Sequence, residues 1–290
     1  MKYFELVEPR SMSEACALLT GNRDAKAIAG GTALLTIVKQ GLLRPKLLIN
    51  LKKVVDAGEI TFDPHRGLRV GALATINEIE SSPIVRDHYP ALADACHVVA
   101  NIRIRNMATL GGNLAHADYQ SDPPTVLVAM DASVELQSSG AMRQLKLANF
   151  LLGSYETALS PDELVSAVLI PPMPPGMTGH YVKFTTGSSA ERPCAGVAAL
   201  AQMDNGICRE LRLAVGAVAL RPVRVSGGEE IAREMILTDS IFDSIAAEAV
   251  RCIDPIDDLR GPAHYKRHLV GVLVRRAVRA LSNGARETPS

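Results

Sequence analysis

The sequence has no tryptophan and few aromatic residues, and its 290 residues carry no net charge, because 31 lysine and arginine residues balance 31 aspartate and glutamate residues. A chain without excess charge has no overall field that attracts nucleic acid or an anionic membrane. No apolar run reaches the roughly 18 residues of a membrane-spanning helix, and the first residues, MKYFELVEPR, do not resemble a signal peptide. We therefore expect a cytoplasmic protein with no nucleic-acid partner and no membrane span.

Cysteine is also scarce. The five cysteines lie far apart and none forms a CxxC pair, which argues against a zinc site or an iron–sulfur cluster in this chain. His264 and His268 have a spacing that can bind a metal, but no third ligand follows nearby, so no metal site is predicted. The 47% hydrophobic content is enough for two or three compact units in a chain of this length.

The richest segment is residues 108–124, ATLGGNLAHADYQSDPP. Gly111 and Gly112 have no Cβ, so the backbone can turn sharply there and approach another molecule closely. Successive amides in such a turn form an anion-binding concavity, to which the side chains of Thr109 and Asn113 can add donors. This pattern is typical of a phosphate-binding loop.

Two carboxylates follow the glycine pair in the same segment. An ionised carboxylate only accepts hydrogen bonds, so Asp118 and Asp122 cannot bind phosphate but suit the hydroxyls of a ribose or ribityl chain. His116, between them and the glycines, either neighbours the bound molecule or only caps a turn, and the sequence leaves both open. The segment as a whole indicates a nucleotide cofactor.

A second glycine pair lies in residues 27–35, AIAGGTALL. One such pair is more often an ordinary turn, but two separated loops can hold a pyrophosphate from both sides. The candidate residues of this loop are Ile28, Ala29, Gly30, Gly31, Thr32, Ala33 and Leu34.

The remaining pattern predicts an α/β unit followed by a more antiparallel one. Helices are expected at 14–19 and 34–40 and strands at 25–29 and 47–51, then a hairpin turning at 64–67 and strands at 134–137, 144–147 and 164–170. Apolar neighbours place Arg103 and Arg105 on a strand with one solvated face. The run PPMPPGMTG is the best linker, which puts a domain boundary near Gly176. Strands at 181–184, 196–203 and 207–218 and helices at 239–252 and 263–281 follow.

These motifs together resemble a known family, the flavin-binding medium subunits of the molybdenum hydroxylases. AIAGGTALL is similar to that family's first FAD loop and IRNMATLGGNLAHADYQSD to its second, while ELVSAVLIPP with YVKF, GAVALRPVRV and YKRHLVGVLVRRAV follow in the family's order. The resemblance implies an α+β protein: a vanillyl-alcohol-oxidase-like FAD-binding fold with two subdomains, then a small C-terminal domain of antiparallel sheet and helices. Expected bounds are 1–175, divided at about residue 56, and 178–285.

The resemblance also implies a role for particular residues. Val165 would contact FAD, and Lys183 would reach the flavin from the second domain, where a cation favours the anionic reduced form; a strand lysine at a solvated edge is the other interpretation. The first loop lacks the histidine that attaches flavin covalently in relatives of the wider fold, so FAD should be non-covalent. Tyr119 stands where the family usually has proline, and it could stack near the flavin or reshape the loop.

The function implied by the resemblance is that of an electron-transfer subunit. A large partner subunit would hold a molybdenum cofactor, a small one would carry two [2Fe–2S] clusters, and this chain would pass their electrons to an external acceptor. No catalytic residue for an organic substrate is expected here. The alternative is a self-sufficient flavin-dependent oxidase, against which the sequence offers no evident acid/base cluster.

Overall fold

The computed structural model describes residues 3–282. It begins with a small α/β unit whose three parallel strands lie in the order β1-β3-β2. Ser11 caps the first helix by accepting from the amide of Glu14 at 3.1 Å. The elements are β1 (Glu5–Val7), α1 (Met12–Leu19), β2 (Ala25–Ile28), α2 (Leu34–Lys39) and β3 (Leu47–Asn50). The predicted α/β unit is therefore confirmed.

A five-stranded antiparallel sheet forms the second unit, in the order β4-β5-β10-β6-β7. Asp63 starts its first hairpin by accepting from the amides of His65 and Arg66, and Gly67 ends the turn with a φ of 90°. The strands of this region are β4 (Ile60–Asp63), β5 (Gly67–Gly71), β6 (Ser133–Gln137), β7 (Met142–Lys146), β8 (Leu151–Gly153), β9 (Glu156–Thr157) and β10 (Leu164–Ile170).

Between β5 and β6 the chain forms a block of six short helices that the sequence analysis missed. Thr75 and Glu78 form a capping box at the start of the block, and proline opens three of its helices. The helices are α3 (Ile76–Ser81), α4 (Pro83–His88), α5 (Pro90–His97), α6 (Ile102–Arg105), α7 (Leu110–His116) and α8 (Pro123–Ala129), with α9 (Leu147–Phe150) after β7.

One prediction in this block is wrong: residues 102–105 are not a strand. Asn101 caps α6 with its side chain, accepting from the amides of Arg103 and Ile104. Arg105 then lies 2.8 Å from Glu80, with both side chains largely buried. The local signal was the cap at Asn101, which outweighs the alternation of isoleucine and arginine.

The C-terminal unit is an antiparallel sheet covered by helices, with β11 to β14 in sequence order and β15 paired to β13. The linker is shorter than predicted, because Met177 already begins β11. The elements are β11 (Met177–Phe184), β12 (Ala195–Asp204), β13 (Ile207–Gly216), β14 (Val223–Arg224), α10 (Ser226–Ala232), β15 (Met235–Ile236), α11 (Asp239–Cys252) and α12 (Ala263–Ser282). The predicted domain end at residue 285 lies outside the described residues.

The two faces of this C-terminal sheet pack against different cores. Tyr181, Ala198 and Ala214 are paired across β11, β12 and β13, and all three belong to the core built around the helical block. Val197 and Ala199 point the other way, into a core with α11 and α12. Because side chains alternate along a strand, Lys183 lies on the same face as Tyr181, towards the helical block. Within residues 3–282 no helix is long and apolar enough to cross a membrane.

Candidate functional site

The first glycine loop joins β2 to α2. Gly31 has a φ of 71°, which glycine adopts without strain. A Cβ on Gly30 would overlap the carbonyl oxygen of Met107, so the loop packs directly against the backbone that precedes the second loop. The amides of residues 30–34 donate no hydrogen bond to any described residue. A backbone amide rarely stays without any hydrogen-bond acceptor, so these amides bind either water or a molecule outside the chain. This row of amides is therefore available to a ligand.

The second glycine loop is built differently. It begins α7, and Thr109 caps that helix by accepting from the amide of Gly112 at 3.2 Å. The amide of Gly111 donates to Ala72 O at 2.9 Å and that of Asn113 to Thr109 O at 2.9 Å. The prediction that these amides point at an external acceptor is therefore wrong, because they are engaged inside the protein. Asn113 Oδ1 accepts from Ser121, which leaves its amino group without a partner among the described residues.

A cavity of about 300 Å³ lies between the two loops. Its other walls are apolar and include Leu51, Leu73 and Leu164. Thirteen of the sixteen candidate residues line it: Ile28, Ala29, Gly30, Gly31, Thr32, Ala33, Leu34, Thr109, Gly111, Gly112, Asn113, His116 and Val165. The two loops that are far apart in sequence thus face each other across one space.

The three other candidates lie outside that cavity. Lys183 donates to Asp122 Oδ2 at 3.0 Å and to the carbonyl of Val98 at 2.8 Å, and Tyr181 donates to Asp122 Oδ1 at 2.9 Å. Asp118 pairs with Arg192 at 2.6 Å. Both carboxylates, predicted to accept from sugar hydroxyls, are bound by side chains of the C-terminal unit instead.

Lys183 lines a separate cavity of about 390 Å³. His97, Arg105 and the Val98 backbone contribute to its walls. The Lys183 side chain is only 6% exposed. Lys183 is therefore no solvated edge residue, and its contacts with Asp122 and Val98 fix its charge at the wall of this cavity.

Burial shifts the pKa of two candidate side chains. Desolvation raises the pKa of Asp122 to about 6, although the bonds from Lys183 and Tyr181 oppose the rise. Desolvation lowers the pKa of His116, with Asp118 opposing that change. The ring centroids of His116 and Tyr155 lie 5.1 Å apart, so the imidazole contacts an aromatic ring beside the loop.

Sequence reasoning missed several residues that hold this site together. Tyr181 was available from the alternation along its strand, because it shares a face with Lys183. Arg192 and Asp258 had no local signal, since their partners in the 118–122 segment are more than 70 residues away, and Lys266 joins the site only through its ion pair with Asp258. Tyr119 does not stack in the cavity; its hydroxyl lies 3.4 Å from Asp258.

The sequence matches two family models in order. Residues 2–173 match the FAD binding domain in molybdopterin dehydrogenase, and residues 185–281 match the CO dehydrogenase flavoprotein C-terminal domain. Among curated relatives, the carbon monoxide dehydrogenase medium chain of Hydrogenophaga pseudoflava is 31% identical over 278 residues, covering 96% of each chain. The nicotine 6-hydroxylase medium subunit of Paenarthrobacter nicotinovorans is 32% identical, covering 93% of this chain and 94% of its own.

Solved structures agree with these matches. Carbon monoxide dehydrogenase from Hydrogenophaga pseudoflava superposes with a TM-score of 0.92 at 31% identity, over 96% of this chain and 97% of that one. Quinoline 2-oxidoreductase from Pseudomonas putida 86 gives a TM-score of 0.92 at 28% identity, over 98% and 99%. The chain belongs to the family of FAD-binding medium subunits of molybdenum hydroxylases. It is a flavoprotein subunit of an oxidoreductase, and the predicted order of FAD-binding domain and C-terminal domain is confirmed.

The residues present fit FAD. Unpaired amides on the first loop suit a pyrophosphate, and the apolar walls suit the flat rings of a dinucleotide. A Cβ on Gly112 would lie 2.8 Å from Thr109 Oγ1 and 3.9 Å from the Ala29 Cβ, so glycine keeps the space between the loops open.

Proposed function

We propose that this chain is the electron-transfer subunit of a molybdenum-containing hydroxylase, receiving electrons from iron–sulfur clusters of a partner subunit and passing them to an external acceptor. FAD, when bound, supplies the redox chemistry, since it stores two electrons and exchanges them singly or in pairs. The observation that carries the proposal is the cavity between the glycine loops, with its row of free amides on one side and apolar walls on the other.

The first loop would hold the pyrophosphate through its amides, and Val165 with the neighbouring leucines would enclose an apolar ring system. We propose that FAD is bound non-covalently, since residues 27–35 contain neither histidine nor cysteine. Thr109, Gly111 and Gly112 would shape the opposite wall rather than donate amides, and the amino group of Asn113 would supply the second loop's hydrogen bond.

Lys183 and Asp122 would act on the redox-active end of the cofactor. The pair is buried, and Val98 and Tyr181 fix both members. A fixed cation stabilises negative charge that develops nearby, more strongly in a buried site than in water. We propose that Lys183 has this role, with Asp122 holding its position.

The partners we propose are a large subunit with the molybdenum cofactor and a small subunit with two [2Fe–2S] clusters, in the cytoplasm. The relatives named medium chain or medium subunit support a multi-subunit assembly. Purifying the tagged chain from its native host should recover both partner subunits, with molybdenum and iron in the eluate. Recovery of the chain alone, turning over an organic substrate with FAD as its only cofactor, would instead establish the self-sufficient oxidase.

The assignment of the loops can be tested by amide hydrogen exchange with and without FAD. We expect exchange in residues 30–34 to slow strongly when FAD is added, because those amides gain a partner. Residues 110–113 serve as the internal control, since their amides are already hydrogen bonded. Unchanged exchange in residues 30–34 at saturating FAD would contradict the proposal.

We also propose the domain bounds 1–175 and 178–285, with a subdomain division near residue 56. The support is that the family matches end at 173 and resume at 185, and that the parallel sheet lies before residue 56 and the antiparallel sheet after it. Limited proteolysis should cut first between residues 171 and 176.

A further inference from the structure

Lys266 is a lysine with a fully buried side chain, at the start of α12. Lysine is almost never buried this completely unless it is paired, because its charge must be removed from water. Its ammonium donates to the carbonyl of Ile256 at 2.9 Å and lies 2.8 Å from Asp258 Oδ2. This ion pair is remote in sequence from every FAD-loop residue.

Asp258 connects this ion pair to the end of the second loop. Its Oδ2 accepts from Gln120 Nε2 at 3.1 Å and, more weakly, from the hydroxyl of Tyr119 at 3.4 Å. Burial would raise the pKa of Asp258, but the hydrogen bonds from Lys266 and from the Arg260 amide outweigh it and the pKa is lowered. The carboxylate is therefore a charged acceptor, and hydrogen bonds to charged groups are the stronger kind.

Four of the five residues 118–122 are thus bound by side chains of the C-terminal unit. Arg192 binds Asp118 at one end, and Lys183 and Tyr181 bind Asp122 at the other. Asp258 binds Tyr119 and Gln120 in the middle of the segment. It alone among these partners is itself paired with a second buried charge, that of Lys266.

We propose that Lys266 is a positioning residue for the Asp122–Lys183 pair: it fixes Asp258, Asp258 fixes Gln120 and Tyr119, and these set where the Asp122 carboxylate meets Lys183. The inference rests on the proposed function, since it assigns a remote residue to the same redox site. Lys266 itself touches neither cavity, so its effect would be indirect.

The test uses the full-length chain and three measurements: the midpoint potential of the bound flavin, the dissociation constant for FAD, and the melting temperature without FAD. Lys266→Met should shift the potential in the same direction as Lys183→Met and weaken FAD binding roughly tenfold, the scale seen when a supporting partner of a bound group is lost. Lys266→Arg keeps the charge and should restore most of both properties.

Gln120→Leu keeps the buried ion pair but removes the stronger of its two links to the segment, so it should reproduce the shift in potential at smaller size. It also carries the test if Lys266→Met does not fold. Arg224→Met is the matched control, because Arg224 also joins the C-terminal unit to the helical block but does so at the carbonyls of Val128 and Ala129. It should lower the melting temperature and leave the flavin unchanged.

Any one of three results would overturn the inference. If Lys266→Met and Gln120→Leu lower only the melting temperature, as Arg224→Met does, the ion pair is purely structural. If Lys183→Met itself leaves potential and FAD affinity unchanged, the proposed role of the pair fails and the positioning role fails with it. A shift in Lys183→Met without one in Lys266→Met or Gln120→Leu rejects the positioning role alone.

Discussion

The two glycine loops look alike in sequence, each with a GG pair and a threonine within two residues of it, but their backbone amides have different hydrogen-bond partners. In the first loop the amides of residues 30–34 have no acceptor among the described residues, whereas in the second those of residues 110–113 all donate to a protein acceptor. The second loop is a rigid wall built by an N-cap, and the first is a ligand-binding turn set against it. A glycine pair therefore indicates close approach, but which group uses the space depends on the hydrogen bonds around it.

The variant with the largest expected effect on this difference between the loops is Gly30→Ala. The added Cβ would overlap the Met107 carbonyl and lie 3.0 Å from the Ala108 Cα, so one loop would have to move away from the other. We expect a loss of at least about 3 kcal/mol in the free energy of unfolding, together with loss of FAD. Denaturant unfolding and flavin absorbance check this. Gly140→Ala is the control, since its Cβ would meet nothing within 4 Å; equal stability of the two variants would contradict the packing argument.

A second prediction concerns the carboxyl at the end of the second loop. The folded pKa of Asp122, about 6, lies above its ordinary value of 3.8. The neutral carboxyl therefore contributes stability in full below pH 3.8 and loses it as pH rises through about 6. Relative to Asp122→Asn, the FAD-free protein should lose up to about 3 kcal/mol across that window. If the difference in unfolding free energy between the two proteins is the same at every pH in that range, Asp122 does not titrate there.

Gly112→Val tests whether FAD binding needs the space between the loops, separately from the stability of the fold. Its Cβ would crowd Thr109 Oγ1 and face Ala29, and the branched methyls would extend towards the first loop. We expect a folded protein with a cost of about 2 kcal/mol and little bound flavin. Circular dichroism and flavin occupancy measure the two effects, with Gly112→Ala as the smaller step. Full flavin occupancy in the valine variant would remove Gly112 from the site.

The smallest expected effect is that of Thr109→Ala, which removes the cap of α7. Loss of a threonine N-cap costs about 1 kcal/mol and frees the amide of Gly112. Because this loop is a wall and not the main donor, FAD affinity should fall by less than in Gly112→Val. Thermal unfolding and FAD titration give both values, and Thr109→Ser should recover the stability. A larger loss of affinity than of stability would reverse the roles assigned to the two loops.

Much of the fold was accessible from local pattern. The apolar run at residues 164–170 and the helical periodicity at 239–252 predicted β10 and α11 with their observed bounds. The block from Ile76 to Ala129 was missed because its helices are short and their stability comes from packing and caps rather than from long amphipathic repeats. Arg105 shows the same limit, since its pairing with Glu80 depends on a helix that alternation disfavoured.

The sequence predicted which residues line the candidate site, but not how those residues are hydrogen bonded. Both loops line one cavity as expected, yet the amides of the second loop and the carboxylates of Asp118 and Asp122 have protein partners. The partners of the two carboxylates, Arg192, Lys183 and Tyr181, lie in the C-terminal unit, at sequence distances where a single chain gives no signal. The second loop, in contrast, is capped locally by Thr109. The family resemblance located the two cofactor loops. The hydrogen bonds in the structure then showed which of their amides are free to donate to a ligand.

The face of the C-terminal sheet that packs against the helical block affects how the molecule unfolds. Tyr181, Ala198 and Leu200 complete the core around the helical block, so the FAD-binding domain has no closed apolar interior without the C-terminal sheet. Unfolding should therefore be cooperative across the domain boundary, with one calorimetric transition instead of two. A chain cut at residue 176 would expose that interior, and the two pieces would be expected to aggregate separately and to regain structure only when mixed.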